Sequence, residues 1–205
     1  MNFYRLQQDE KYPHVWYNNE ADLFESVICP EYPGHQRGRR SAWSLSVEVK
    51  KRKFGDFVYT SYSDCLITDK VAEIFKQHNF TGYELRPVDV CNMVLPFNLW
   101  ELVVTGNGGE AHPDSGMFIK RQCPYCKNTY YSAFKNGTGI VVDENNWDGS
   151  DFFTLTPLPK FILINEKVRA VIKENKLKGV IPILSTEITR DERFDGPDGG
   201  EVSPF

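Results

Sequence analysis

The chain has 205 residues, 40% hydrophobic and 14% aromatic, which supports a substantial core and excludes a disordered chain. A formal net charge of −4 and a pI near 5.6 weigh against nucleic acid as a partner and mildly favour a basic one. No apolar run reaches the length of a membrane span, and MNFYRLQQDEKYP has no apolar signal core, so a cytoplasmic protein is expected.

Residues 1–28 mix polar and aromatic side chains and predict a short strand with a docked loop. Residues 29–42, CPEYPGHQRGRRSA, form a turn-rich loop. Residues 44–54 alternate apolar and polar, the pattern of a strand with one wet face. A further strand is expected over 56–59, followed by a helix over LITDKVAEIFKQHNFTGY. Residues 88–105 are the most apolar segment and predict central strands, with Pro96 marking a break. Gly106, Gly108 and Gly109 mark a turn, and a polar loop over 136–151 precedes a second helix.

The two helical segments are copies of each other. LITDKVAEIFKQHNFTGY (66–83) and LINEKVRAVIKENKLKGV (163–180) align at an offset of 97 residues, with Val71 on Val168, Ile74 on Val171, Phe75 on Ile172 and Gly82 on Gly179. Thr68 and Asn165 stand at the N-cap, and Asp69 and Glu166 place a negative charge in the first turn. Val71, Ile74, Phe75 and His78, with Val168, Val171, Ile172 and Asn175, fall at i, i+3, i+4, i+7 and define one helical stripe. The expected fold class is α+β: two pseudo-repeated strand–helix–strand units around a shared core. The division is 1–97, 98–185 and a flexible tail over 186–205.

The chemical signal is Cys123-Pro124-Tyr125-Cys126. A C-P-x-C knuckle aims two thiolates at one metal while backbone N–H groups approach the sulfurs. A first knuckle begins at Cys29-Pro30 but carries Tyr32 where its second cysteine would stand, and His35 is the candidate replacement. The metal reading is a structural, tetrahedral Zn²⁺ on Cys29, His35, Cys123 and Cys126. The alternative is a set of reduced, partly buried cysteines with no metal. Cys65 and Cys91 lie in apolar stretches and are expected in the core.

Taken in order, the two knuckles, WSLSVEVKKRKFGDFVY, GYELRPVDV, LWELVVTGNGGEAHPDSG and WDGSDFFTLTPLPKFILINEKVRAVIKENKLKGV resemble the double-CXXCG motif proteins of bacteria. This family was first noted as paralogues in social myxobacteria. The first copy is also similar to an immunity-protein family with the GDFV–helix–ELRPV layout. The likeness runs over roughly residues 3–184; it departs at Tyr32 and at Pro33 and Lys127, which stand where each knuckle would end in glycine. It implies an immunity protein that binds a cognate toxin and blocks it by occlusion. The rival is a zinc-knuckle nucleic-acid-binding or regulatory module using the basic loop of Arg37, Arg39 and Arg40, beside Lys50, Lys51, Arg52 and Lys53.

The acidic run 143–151 offers a partner-binding surface of Asp143, Glu144, Trp147 and Asp148, with the indole as anchor and the carboxylates steering a basic toxin. The bland reading of the same residues is a turn-rich loop with a buried Trp. His112-Pro113-Asp114 beside Ser115 resembles part of a hydrolase triad, but adjacent residues of one loop seldom converge on a nucleophile, and G-x-S-x-G is absent. No enzyme is expected. His112 instead fixes the loop before the knuckle and is a reserve metal ligand.

Overall fold

The computed structural model describes residues 1–18, 24–32, 36–40, 44–50, 53–134, 138–189 and 201–202, without side chains for 24–27, 36–40 and 201–202. The expected α+β class is overturned. The fold is β-rich, 41% strand and 15% helix, with two α-helices among the described residues. Among the described residues, the two nine-residue segments with a helical stripe became α-helices and the alternating segments around them became strands.

A six-stranded sheet is built from β2 (Trp16–Tyr17), β5 (Leu45–Glu48), β6 (Phe57–Tyr59), β7 (Cys65–Thr68), β8 (Tyr83–Val90) and β9 (Leu99–Val104). Its order is β2-β5-β8-β9-β7-β6. A five-stranded sheet uses β1 (Phe3–Gln8), β10 (Asn107–Glu110), β13 (Phe152–Thr156), β14 (Leu158–Asn165) and β15 (Val180–Leu184), in the order β10-β13-β14-β1-β15. The remaining strands form a hairpin of β3 (Phe24–Ile28) and β4 (Gln36–Arg40) and a small sheet of β11 (Ile119–Gln122), β12 (Thr129–Ser132) and β16 (Glu201–Val202), in the order β11-β12-β16.

Helix α1 (Asp69–Gln77) joins β7 to β8, and α2 (Glu166–Glu174) joins β14 to β15. In neither case are the flanking strands neighbours. β9 runs antiparallel between β7 and β8, and β1 runs antiparallel between β14 and β15. A closed strand–helix–strand repeat is therefore the wrong unit, because each copy needs a third strand from outside its own helical segment. The first copy takes the strand that follows it; the second takes the N-terminus of the chain. Strand membership thus crosses the 97/98 division, with β1 in the sheet of the second copy and β9 in that of the first.

The copies meet in one core. Val71 and Phe75 of α1 and Val168 and Ile172 of α2 share a cluster with Phe57, Ile67, Phe152 and Ile164, all buried. Phe75 packs on Phe152 at 5.0 Å between ring centroids and on Phe57 at 6.1 Å, so this side chain of the first copy touches both. The backbone repeats the exchange. Phe57 N–H donates to Lys178 O (2.9 Å) and Phe152 N–H to Thr81 O (3.0 Å). Asp56 accepts from Lys178 N–H at 2.7 Å, and Asp151 from Thr81 N–H at 2.9 Å. Each strand start thus docks on the loop that leaves the other copy's helix. Gly82 (φ +83°) and Gly179 (φ +91°) belong to these loops, and a Cβ on either would lie 2.0 Å from the Phe152 or Phe57 carbonyl oxygen.

The helix starts differ. Asn165 Oδ1 accepts from Lys167 and Val168 N–H, while Asn165 Nδ2 donates to Asp151 Oδ1 at 2.7 Å. Thr68 holds the N-cap backbone conformation, but its hydroxyl makes no cap bond and is buried without a hydrogen-bond partner. Asp69 works there instead, accepting from Trp100 Nε1 (2.7 Å) and Asn98 N–H (2.8 Å), which tie α1 to β9. Those bonds, Trp100's first, hold the Asp69 carboxyl below its usual range.

The expected flexible tail over 186–205 is anchored near its start and close to its end. Ile188 is buried in the core around Phe3 and Phe153, and Glu201–Val202 pairs with β12. Residues 190–200 lie outside the described residues.

Candidate metal centre

The small sheet and the β3–β4 hairpin carry the thiols. Cys29 follows β3 directly, and Cys123 and Cys126 lie in the turn between β11 and β12, whose antiparallel pairing sets Gln122 opposite Thr129. That turn closes on itself. Cys123 N–H donates to Asn128 O at 2.8 Å, Lys127 N–H donates to Cys123 O at 3.0 Å, and Lys127 adopts φ +58°. The chain therefore reverses tightly, and the two thiols of C-P-x-C project to one side.

The third thiol arrives from 94 residues away. Cys29 Sγ lies 3.9 Å from Cys123 Sγ, and the sulfurs of Cys29, Cys123 and Cys126 all lie within 4.8 Å of one another. Zn–S bonds of about 2.3 Å in a tetrahedron place sulfurs about 3.8 Å apart, so the donor set fits such an ion with little movement. Cys29 and Cys123 are buried and Cys126 is half-buried. Backbone donors support them as a knuckle requires. Tyr32 N–H donates to Cys29 Sγ at 3.4 Å, so the damaged first knuckle keeps its N–H···S bond although Tyr32 supplies no thiol. Without an ion, Asn128 N–H lowers the Cys126 pKa, but desolvation and the thiols of Cys123 and Cys29 raise it overall. Asn128 is itself buried, and its Oδ1 has no hydrogen-bond partner. Three soft donors meet at one point, with an N–H group on Cys29 and another on Cys126. Cys29, Cys123 and Cys126 together can hold a metal ion.

Of the four predicted ligands, three converge, and His35 lies outside the described residues. His112 is not in the group. Its Nδ1 accepts from Asp114 N–H at 3.2 Å and caps a short 3₁₀ turn, Pro113–Ser115. Ser115 is buried, with its hydroxyl accepting from Val141 N–H at 2.9 Å, so it pins a loop. Cys65 is a core thiol pushed up to about 12 by burial, whereas Cys91, expected in the core, is exposed at the end of β8 and donates to Val47 O.

No protein-family model matches the chain, and no curated protein matches it. The family resemblance rests on its motifs.

The acidic loop is occupied with itself. Asp143 accepts from Asn145 N–H and from the side chains of Asn145 and Asn146, and Glu144 pairs with the Met1 ammonium group. Asp148 accepts from Asn107 N–H at 2.7 Å and from Ser150 N–H at 2.9 Å. Partial burial pushes its carboxyl up, but the bonds from Ser150 and Asn107 outweigh it and leave it below the ordinary range. Trp147 packs edge-on against Phe3 at 5.1 Å and tilted against Phe153 at 5.7 Å, and its indole N–H donates to Ser150 O. Its ring belongs to the second core cluster. These four residues build a turn over that core.

Of the basic residues, Lys50 lies over the Trp16 ring at 4.3 Å and Lys53 near Tyr12 at 5.5 Å. Arg37, Arg39 and Arg40 pair through β4 backbone with Val27, Glu25 and Phe24 of β3, while Lys51 and Arg52 lie outside the described residues.

A feature that sequence reasoning missed is a pair of aromatic rings over the cysteines. Tyr32 and Tyr125 meet at 5.7 Å between ring centroids, both exposed. The signal was available: Tyr125 stands between the two thiols of C-P-x-C, and Tyr32 stands where the first knuckle would carry its second cysteine.

Proposed function

We propose that this chain is an immunity protein, a cytoplasmic bacterial protein that binds a cognate toxin and blocks it by occlusion, with no chemistry of its own. Cys29, Cys123 and Cys126 hold a structural Zn²⁺, with His35 as fourth ligand. The ion supplies a cross-link between the N-terminal hairpin and the middle of the chain, fixing two turns that would otherwise move independently. The observation that supports a binding role is the pair of exposed rings, Tyr32 and Tyr125, which meet where the two cysteine-bearing turns come together. Rigid aromatic side chains lose little entropy on docking, which suits a tight inhibitor. The toxin identity comes from the family resemblance.

The test is protection. The C-terminal domain encoded by the reading frame next to this gene is induced in a laboratory bacterium with and without this chain. Restored growth together with a co-purifying complex is the expected result. A toxic neighbour that the chain neither binds nor restrains removes the immunity reading.

A further inference from the structure

We propose that the partner docks on the metal-knuckle end of the molecule, through Tyr32 and Tyr125 and the exposed Ile28 and Ile119 of the same two segments, and that it presents an acidic protein surface there. This rests on the immunity reading and reverses the charge expected of the partner.

Two independent observations lead to it. The first is the distribution of exposed apolar side chains. Among the described residues, ten large hydrophobic side chains are exposed, and five of them (Ile28, Tyr32, Phe118, Ile119 and Tyr125) lie on the two short segments that carry the three cysteines. Each is between 48% and 62% exposed. Single exposed hydrophobics are ordinary, whereas concentration on one structural unit is what a binding site requires. The two segments touch each other, since Cys29 meets Cys123 directly and Tyr32 meets Tyr125. Anchors held in place before binding lose less freedom on complex formation.

The second observation is charge. Residues 117–131 carry Lys120, Arg121 and Lys127 and no carboxylate, and Arg121 and Lys127 are exposed. On the other segment, residues 24–32 contribute Glu25 and Glu31, β4 adds Arg37, Arg39 and Arg40 in sequence with Arg39 opposite Glu25, and β16 adds Glu201, so cations still outnumber carboxylates. The knuckle end is therefore basic in a chain of net charge −4. The carboxylates of the 143–148 loop, the natural candidates for steering a basic toxin, are held by the Asn145, Asn107 and Ser150 N–H groups and by the Met1 ammonium group. A complementary partner places carboxylates around a recess that accepts a tyrosine ring. Tyrosine and arginine are among the residue types enriched in energetically dominant protein contacts. The aliphatic Ile28 and Ile119 favour a protein over nucleic acid, because they offer no ring for a base to stack on.

The experiment uses the full-length chain and the purified toxin domain from the neighbouring reading frame, with binding measured by surface plasmon resonance alongside the growth assay. Tyr125→Ala is expected to weaken binding by about thirtyfold or more, and Arg121→Glu to slow association about tenfold at low salt, a loss that shrinks as salt is raised. Val94→Ala, an exposed position on another segment, serves as the control and should bind as the wild type does. Circular dichroism confirms that each variant is folded. If the wild type protects and both knuckle variants bind unchanged, the docking site is wrong while the immunity reading stands. If the wild type neither binds nor protects, that reading fails and takes this one with it. Salt-dependent binding of a single-stranded oligonucleotide that Tyr125→Ala abolishes, in place of toxin binding, also overturns the proposal.

Discussion

At the scale of single residues, the cysteines carry the clearest prediction. An ion on Cys29, Cys123 and Cys126 would close a loop of 94 residues. By chain entropy, a cross-link over a loop of that length is worth about 4–5 kcal/mol, less whatever strain it introduces. Cys126→Ser is therefore expected to abolish zinc binding, read by elemental analysis of the purified protein, and to lower the melting temperature by roughly 10 °C. Wild-type protein that contains no zinc and melts together with the variant would rule the metal out. This centre was half legible in the sequence. C-P-x-C at 123–126 announces itself by spacing, and Cys29-Pro30 does so more weakly. That these segments meet depends on how the β3–β4 hairpin is placed against the β11–β12 turn, and no local pattern encodes such a long-range contact. The acidic loop was misleading for a related reason. Asp143 and Asp148 read as surface charge, yet short acidic side chains in turns habitually bond to nearby backbone N–H groups, as these do.

At the scale of elements, the two helices are nearly identical in pattern and different in how they begin. Periodicity located both, because Val71, Phe75, Val168 and Ile172 sit on faces that had to be buried. It could not tell which cap would be used. Asn165 spends one side chain on three bonds, two to the first turn of α2 and one to the buried Asp151, so Asn165→Ala should cost about 2–3 kcal/mol. Thr68 stands at the equivalent position with a buried hydroxyl that has no partner, so Thr68→Val should be neutral or slightly stabilising. Urea denaturation of both variants beside the wild type measures the contrast. Equal losses at the two positions would show that the helices start alike and that the asymmetry is not real.

At the scale of the whole molecule, duplication is visible in the sequence and its completion is not. The offset of 97 residues suggested two strand–helix–strand units around a shared core, but the strand that fills each split lies outside the repeated segment. β9 follows the first copy, and β1 precedes everything. Apolar alternation makes β1 a strand; nothing local says that Phe3, Tyr4 and Arg5 pair with Asn165, Ile164 and Leu163 at the far end of the chain. The consequence concerns folding. Residues 98–205 alone would leave β14 and β15 with a gap between them and would expose Ile164, Val168 and Phe152, which are shielded in part by Tyr4, Phe57 and Phe75 of the missing half. Residues 1–97 alone would lack β9 and so leave β7 and β8 unjoined. Neither fragment is expected to fold. The full chain should then unfold in one transition, because each half's strand start hangs on the other's helix exit through Phe57–Lys178 and Phe152–Thr81. Heteronuclear NMR of the separate fragments should give narrow, poorly dispersed amide spectra, and mixing them should restore dispersion by supplying both missing strands. A well-dispersed spectrum from 98–205 alone would mean that β1 is an accessory to the second sheet, and that the halves are joined by packing rather than by exchanged strands.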